Sequence, residues 1–174
     1  MIDYIILGSL TIRNMSGYEI RKLMSYSTAF FSNVSFGSIY PALNKLEKNG
    51  LVVVKEVVDT GRYKKIYEIT EEGRSLFQDM MAEPLRPFNF RYEILIRIFF
   101  AQNLSNQQLL TLINEHLTQL SDLASDLKEI GQSHMKGANN YQKYALQFGH
   151  DFYDFLIKWY QDLIIELEEE PLEQ

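Results

Sequence analysis

The 174-residue chain contains no cysteine, which excludes a disulfide framework and any cysteine-held metal site. It also lacks an apolar run approaching the roughly 20 residues that cross a bilayer. The N-terminal stretch "MIDYIILGSLTIRN" is apolar but has neither a basic lead nor a small-residue cleavage site. A soluble, cytoplasmic protein with no membrane partner is expected. Histidine occurs only as His116, His134 and His150, 18 and 16 residues apart, which is no metal-ligand spacing. No G-x-S-x-G, phosphate-binding loop, G-x-G-x-x-G or H-E-x-x-H is present, and the carboxylates of "LEEEPLE" belong to a solvated tail. Neither catalysis nor a metal or cofactor is expected.

Positive charge is also in short supply. The net charge is −6 and the pI about 5.1, which taken alone argues against nucleic acid. The balance is uneven, however. Residues 1–70 hold 9 Lys/Arg and 6 Asp/Glu, a net of +3, whereas residues 71–174 hold 8 and 17, a net of −9. A mildly basic front on an acidic back points to two modules with different partners, although acidic surface can simply aid solubility.

Several elements can be read from what is present. Ile2, Ile5, Ile6 and Leu10 share one helical face over residues 2–12. Ser16 and Glu19 have capping-box spacing, so a second helix starts there and buries Ile20, Leu23 and Met24. Phe30 and Phe31 anchor the short connection that follows. In "SFGSIYPALNKLEKNGL", Leu43 and Leu46 fall within about 40° of Ile39 on a helical wheel. Pro41, Asn44, Lys45 and Lys48 occupy the far side, flanked by Ser38 and Tyr40. Proline lacks an N–H and is cheap only near a helix start, which places that start near Gly37 or Ser38. Asn49-Gly50 ends this helix, taken as 36–49.

Residues 51–58 and 64–69 read as two strands joined by "DTGR", with Tyr67 and Ile69 on one face and Arg62, Lys64 and Lys65 as a basic tip at 59–65. Thr70 caps a helix with Glu71 and Glu72 in its first turn. Three helices followed by a hairpin is the outline of a winged helix-turn-helix. Its third helix fits the major groove of duplex DNA, while a basic hairpin meets the flanking backbone. On this basis Ser38, Tyr40, Pro41, Asn44, Lys45, Lys48, Arg62, Lys64 and Lys65 are the candidate DNA contacts. The bland alternatives are a solvated helix face and a charged strand edge that resists pairing, with Ser38 as a helix cap.

Pro84 and Pro87 mark a joint, dividing the chain at 1–83 and 84–174. "RYEILIRIFFAQN" is a strongly apolar helix. Ser105 and Gln108 form a second capping box. From there Leu109, Ile113, His116, Leu120, Leu123, Leu127 and Ile130 alternate steps of four and three, a heptad seam with His116 as polar intruder and hydrogen-bonded core histidine. "GQSHMKGANN" is a loop. A last helix over roughly 140–169 carries Ala145, Phe148, Phe152, Phe155, Trp159, Leu163 and Leu167 as one broad stripe. The two long helices can pair with each other, and the apolar surface left over favours a symmetric homodimer. Ile113, His116, Leu120, Leu123, Leu127, Phe152, Phe155 and Trp159 are the expected dimerisation residues. Phe148, His150 and Tyr153 would suit a planar phenolic effector, although such a stripe is more often core.

The segment from Ser35 to Gly73 resembles the PadR family of bacterial transcriptional regulators. The resemblance rests on Gly37, Ser38, Ile39, Tyr40, Pro41, Leu43, Leu46, Glu47, Gly50 and Leu51, then on Gly61, Arg62, Lys65, Tyr67, Thr70 and Gly73, with "SGYEI" upstream. Phe31 stands where many members carry tryptophan. "RYEILIRIFFAQNLS" and "FGHDFYDFLIKWYQDLI" resemble the long C-terminal dimerisation helices of the larger PadR subgroup. The resemblance implies a homodimeric winged-helix repressor of double-stranded DNA, controlled in some members by phenolic acids or planar drug-like compounds. The expected fold is mainly α with a small β-hairpin: an N-terminal winged helix-turn-helix and a C-terminal helical, coiled-coil-like dimerisation domain. The rival function is a winged-helix adaptor that contacts protein and binds no DNA.

Overall fold

The computed structural model describes residues 1–174 apart from 29–31, 33, 60–61, 86, 88–91, 135–136 and 170–174; of Tyr26, Asp59, Arg62 and His134 it describes the backbone alone. The Phe30 and Phe31 anchor, the Thr60-Gly61 turn, and the side chains of Arg62 and His134 therefore lie outside the described residues. The chain divides into two compact units, Met1–Arg86 and Pro87–Gln174.

The first unit runs α1 (Ile2–Ile12), α2 (Gly17–Ser27), a 3-10 turn (Phe36–Ser38), α3 (Ile39–Lys48), β1 (Val52–Asp59), β2 (Arg62–Ile69) and α4 (Glu71–Ala82). Local chemistry sets the boundaries. Both halves of the Ser16/Glu19 capping box are made: Ser16 Oγ accepts from the Glu19 amide at 3.3 Å, and Glu19 Oε2 accepts from the Ser16 amide at 2.9 Å. Pro41 is the third residue of α3, among the amides with no partner inside the helix, so its missing N–H costs nothing. α3 ends in a Schellman motif. Gly50 takes φ +71°, its amide reaches the Glu47 carbonyl at 2.9 Å, and the Leu51 amide reaches the Leu46 carbonyl at 3.0 Å.

The two strands pair antiparallel, Val52 opposite Ile69 and Val54 opposite Tyr67. Met15, between α1 and α2, joins the other edge of β2: its amide donates to the Tyr67 carbonyl at 3.1 Å and its carbonyl accepts from the Tyr67 amide at 2.9 Å. Thr70 then closes the corner. Its Oγ accepts from the Gly73 amide at 3.0 Å and donates to the Gly50 carbonyl at 2.8 Å.

One core lies inside these elements, formed by Ile6, Leu7 and Leu10 of α1, Ile20 and Met24 of α2, Ile39, Leu43 and Leu46 of α3, and Val52, Tyr67 and Ile69 of the hairpin. Burial of each aliphatic side chain contributes roughly 1.5–3 kcal/mol. Exposed ion pairs are worth about 0–1 kcal/mol each. The core therefore holds the unit, and the ion pairs on its surface orient what the core presents.

The second unit consists of α5 (Glu93–Phe99), a 3-10 turn (Ala101–Asn103), α6 (Asn106–His134) and α7 (Asn140–Glu169). α5 is shorter than the helix expected over "RYEILIRIFFAQN", because Phe100 leaves the helical region and a tighter turn follows. Ser105 and Gln108 cap the start of α6 reciprocally, at 2.9 and 3.2 Å. α6 and α7 run antiparallel, since the Asn106 amide group at the start of one donates to the Leu167 carbonyl near the end of the other at 3.0 Å. Among the described residues, no helix is long and apolar enough to cross a membrane.

Candidate nucleic-acid interface

The helical wheel of α3 is realised: Ile39, Ala42, Leu43 and Leu46 are buried, and Tyr40, Pro41, Asn44, Lys45 and Lys48 are exposed. Burial of one face fixes the direction of the other. The Ser38 hydroxyl donates to the Ser35 carbonyl at 2.6 Å, so it holds the 3-10 turn rather than capping α3. Tyr40 lies with its ring edge on Gly17, where an added Cβ would stand 2.7 Å from Tyr40 Cε1. α3 is thereby locked against the first residue of α2, and Tyr40 is still about half exposed.

The basic residues fall into two groups. Lys45 is paired with Asp3 of α1 at 2.7 Å, Lys55 with Glu68 across the hairpin, and Lys64 with Glu19 of α2 at 3.3 Å. Lys48 on α3 and Lys65 on β2 are exposed and have no ion pair among the described residues. Lys65 stands opposite Glu56 in the strand register. Tyr18 at the start of α2, Lys22 one turn further on and Tyr63 in the wing are exposed as well. The sequence reading missed these three because an exposed tyrosine or lysine has no periodic signal of its own.

Glu19 is the most perturbed acid of the unit. The Ser16 hydroxyl above all, then the Ser16 amide, Arg13 and Lys64, pull its carboxyl down to about 2, against an opposing push from burial. Tyr67, buried in the core, has its hydroxyl pushed up by that burial.

In the second unit the heptad seam is largely satisfied within the protomer. Leu109, Ile113, Leu120 and Leu127 are buried, and on α7 so are Gly149, Tyr153, Leu156, Tyr160 and Leu167. Ile113, Leu120 and Leu127 are therefore not free to meet a second chain. Leu123 is 47% exposed. Phe148 and Phe155 are about two-thirds exposed, and Phe152 and Trp159 more than one-third, so this stripe of α7 is turned away from α6. The Phe148 and Phe152 rings stack at 6.1 Å.

His116 is half-buried. Its Nε2 lies 2.6 Å from the Tyr92 hydroxyl, its ring meets Tyr160 edge-on at 5.3 Å, and burial pushes its pKa down. Tyr160 is fully buried, which pushes its hydroxyl strongly up. Phe148, His150 and Tyr153 do not converge. Two residues apart on a helix means about 200° of rotation, so Phe148 and His150 face opposite ways. His150 instead packs beside Gly131 of α6, and Tyr153 is buried. No cluster of three or more His, Asp or Glu that could hold a metal occurs among the described residues.

Comparison with known proteins agrees with this architecture. Residues 6–79 match the model of the transcriptional regulator PadR-like family, and residues 90–168 match the virulence activator alpha C-terminal model. The negative transcriptional regulator PadR of Bacillus subtilis is 27% identical over 153 residues, 86% of this chain and 84% of that protein. The crystal structure of the PadR-like transcriptional regulator BC1756 from Bacillus cereus superposes with a TM-score of 0.88 at 27% identity, covering 97% of this chain and 99% of that one. Bacillus subtilis PadR in complex with operator DNA superposes at 0.82, with 23% identity, over 95% and 98% of the two chains. Residues 6–79 therefore form a PadR-like transcriptional regulator domain, and residues 90–168 a virulence activator alpha C-terminal domain built from long helices.

Proposed function

We propose that the chain acts as a homodimeric repressor that binds a pseudo-palindromic operator. The helix at 36–49 enters the major groove, and the wing at 59–65 lies on the flanking backbone. The DNA-binding part is 1–83, and the dimer-forming part is 84–174. The observation that carries this is the outward face of α3, where Asn44 and Lys48 are exposed and where Lys48, like Lys65 of the wing, has no carboxylate paired with it among the described residues. Asn44 reads base edges, and Lys48 and Lys65 bind phosphate. Lys45 joins them once DNA displaces Asp3. Two such helices in a dimer lie about 34 Å apart, one turn of the duplex. The relative from Bacillus subtilis, crystallised with operator DNA and also with p-coumaric acid, supports both the DNA and a planar phenolic effector that releases it. Such a regulator works in the cytoplasm and performs no chemistry on its ligands.

The test is fluorescence anisotropy against the duplex upstream of the protein's own gene and against random duplex, over a range of salt. Tight binding to the upstream duplex with a steep salt slope is expected, and p-coumaric acid should weaken it. K48A and K65A should each flatten the slope of log affinity against log salt by about 0.9, the share of one phosphate contact. Absence of any salt-dependent affinity would overturn this reading in favour of the adaptor.

A further inference from the structure

Glu19, in the first turn of α2, accepts from four groups on two other segments of the chain. Its Oε2 takes the Ser16 amide at 2.9 Å and the Ser16 hydroxyl at 2.6 Å, and stands 3.3 Å from the Lys64 ammonium of β2. Its Oε1 takes the Arg13 guanidinium at 3.0 Å. Arg13 and Ser16 lie on either side of Met15, whose two backbone hydrogen bonds to Tyr67 join the α1–α2 linker to the outer edge of β2. A single carboxylate thus gathers the linker, the start of α2 and the wing's return strand around one two-bond bridge.

We propose that Glu19 is a positioning residue that sets the wing against the helix-turn-helix, and that Lys64 serves this contact rather than a DNA phosphate. An isolated β-hairpin is marginal in water and twists freely, so a wing needs a second fastening beyond its own ladder. The core holds the base of the hairpin through Val52, Tyr67 and Ile69. Towards the tip, Val57, Val58, Tyr63 and Lys65 are exposed, and among the described residues there Lys64 is the one ion-paired to another element. A lone exposed ion pair does little, but a networked carboxylate with four donors and about one-quarter exposure is the case in which charge fixes geometry. The linker and wing are placed together, and the exposed Lys65 next to Lys64 is carried with them.

The effect on DNA rests on the preceding proposal, so the test has one arm without DNA. E19Q keeps an acceptor for the Ser16 cap and removes both cationic partners; K64Q removes one partner and leaves the cap untouched. Amide hydrogen exchange at Met15 and Tyr67 should quicken about 5- to 10-fold in both variants, while the Leu10 and Leu43 amides keep wild-type rates. Operator affinity should fall by a similar factor with the salt slope unchanged, because no phosphate contact is lost. Wild-type exchange at Met15 and Tyr67 in K64Q would reduce Glu19 to a helix cap and overturn the proposal. Tighter DNA binding with a steeper slope in E19Q would overturn it too, by making Lys64 a phosphate ligand that Glu19 withholds. If the wild-type protein bound no duplex, the DNA reading would fall and the exchange arm alone would decide this one.

Discussion

Replacing Gly73 by alanine should unfold the winged-helix unit or lower its melting temperature steeply. The added Cβ would stand 2.1 Å from the Leu51 carbonyl oxygen and 2.9 Å from Ile69 Cγ1. Both neighbours are fixed. The Leu51 carbonyl accepts from the Thr70 amide at 3.1 Å, and Ile69 is in the core. Relief requires α4 to move off the start of β1, and that motion breaks the Thr70 cap, whose hydroxyl binds both the Gly73 amide and the Gly50 carbonyl. Overpacking costs about 1–3 kcal/mol and a lost cap about 1 more. In a unit of this size each kcal/mol is worth roughly 4–8 °C, so a fall on the order of 15 °C is expected. Thermal unfolding followed by circular dichroism measures it. G50A is the control. Gly50 has open space around its would-be Cβ and only the left-handed backbone to resist substitution, a cost of roughly 1–2 kcal/mol. A G73A variant as stable as G50A would show that the β2–α4 corner yields easily.

The sequence carries the local signals of this fold because they are short-range. Ser16 with Glu19, Ser105 with Gln108, and Thr70 before two glutamates each begin a helix within four residues. Gly50 ends α3 through hydrogen bonds that span no more than five. The buried and exposed faces of α3 follow from period alone, since its hydrophobic side is narrow. Met15 is different. One extended residue between two helices has no pattern, and its pairing with Tyr67 exists only once the hairpin has folded back. The ion pairs of Lys45 with Asp3 and Lys64 with Glu19 join residues far apart in sequence, so the candidate phosphate contacts could not be sorted into paired and unpaired by composition.

α7 shows a second limit. Its apolar residues wrap more than one face, and periodicity finds the stripe without saying which edge turns towards α6. The edge that does so contains Gly149, Tyr153, Leu156 and Tyr160, all of them buried. The Phe148, Phe152, Phe155 and Trp159 edge is left over. The heptad on α6 is likewise filled by α7 at Ile113, Leu120 and Leu127, so a seam visible in sequence need not be the seam between chains.

That leftover edge sets where the dimer should be most sensitive. F152E and F155E together should turn the protein into a folded monomer. Neither ring is enclosed by α6, since Phe155 is 63% and Phe152 39% exposed in the protomer, so the change leaves the α6–α7 pair standing. Monomers rarely leave contiguous apolar patches of more than a few hundred Å² open to water. Each aromatic side chain buries about 150–250 Å² when covered, and two-fold symmetry presents every substitution twice. Charge placed there is desolvated on association with no partner of opposite sign, which costs several kcal/mol. Sedimentation should therefore give the monomer mass with helical content preserved. Operator affinity should fall by at least about 100-fold, since the second half-site no longer binds through a tethered partner. L120D is the instructive contrast: Leu120 is buried against α7 within one chain, so that variant should lose helical content as well as mass. An intact F152E/F155E dimer would move the interface off this edge of α7, towards the exposed apolar side of α5 at Ile96 and Phe99.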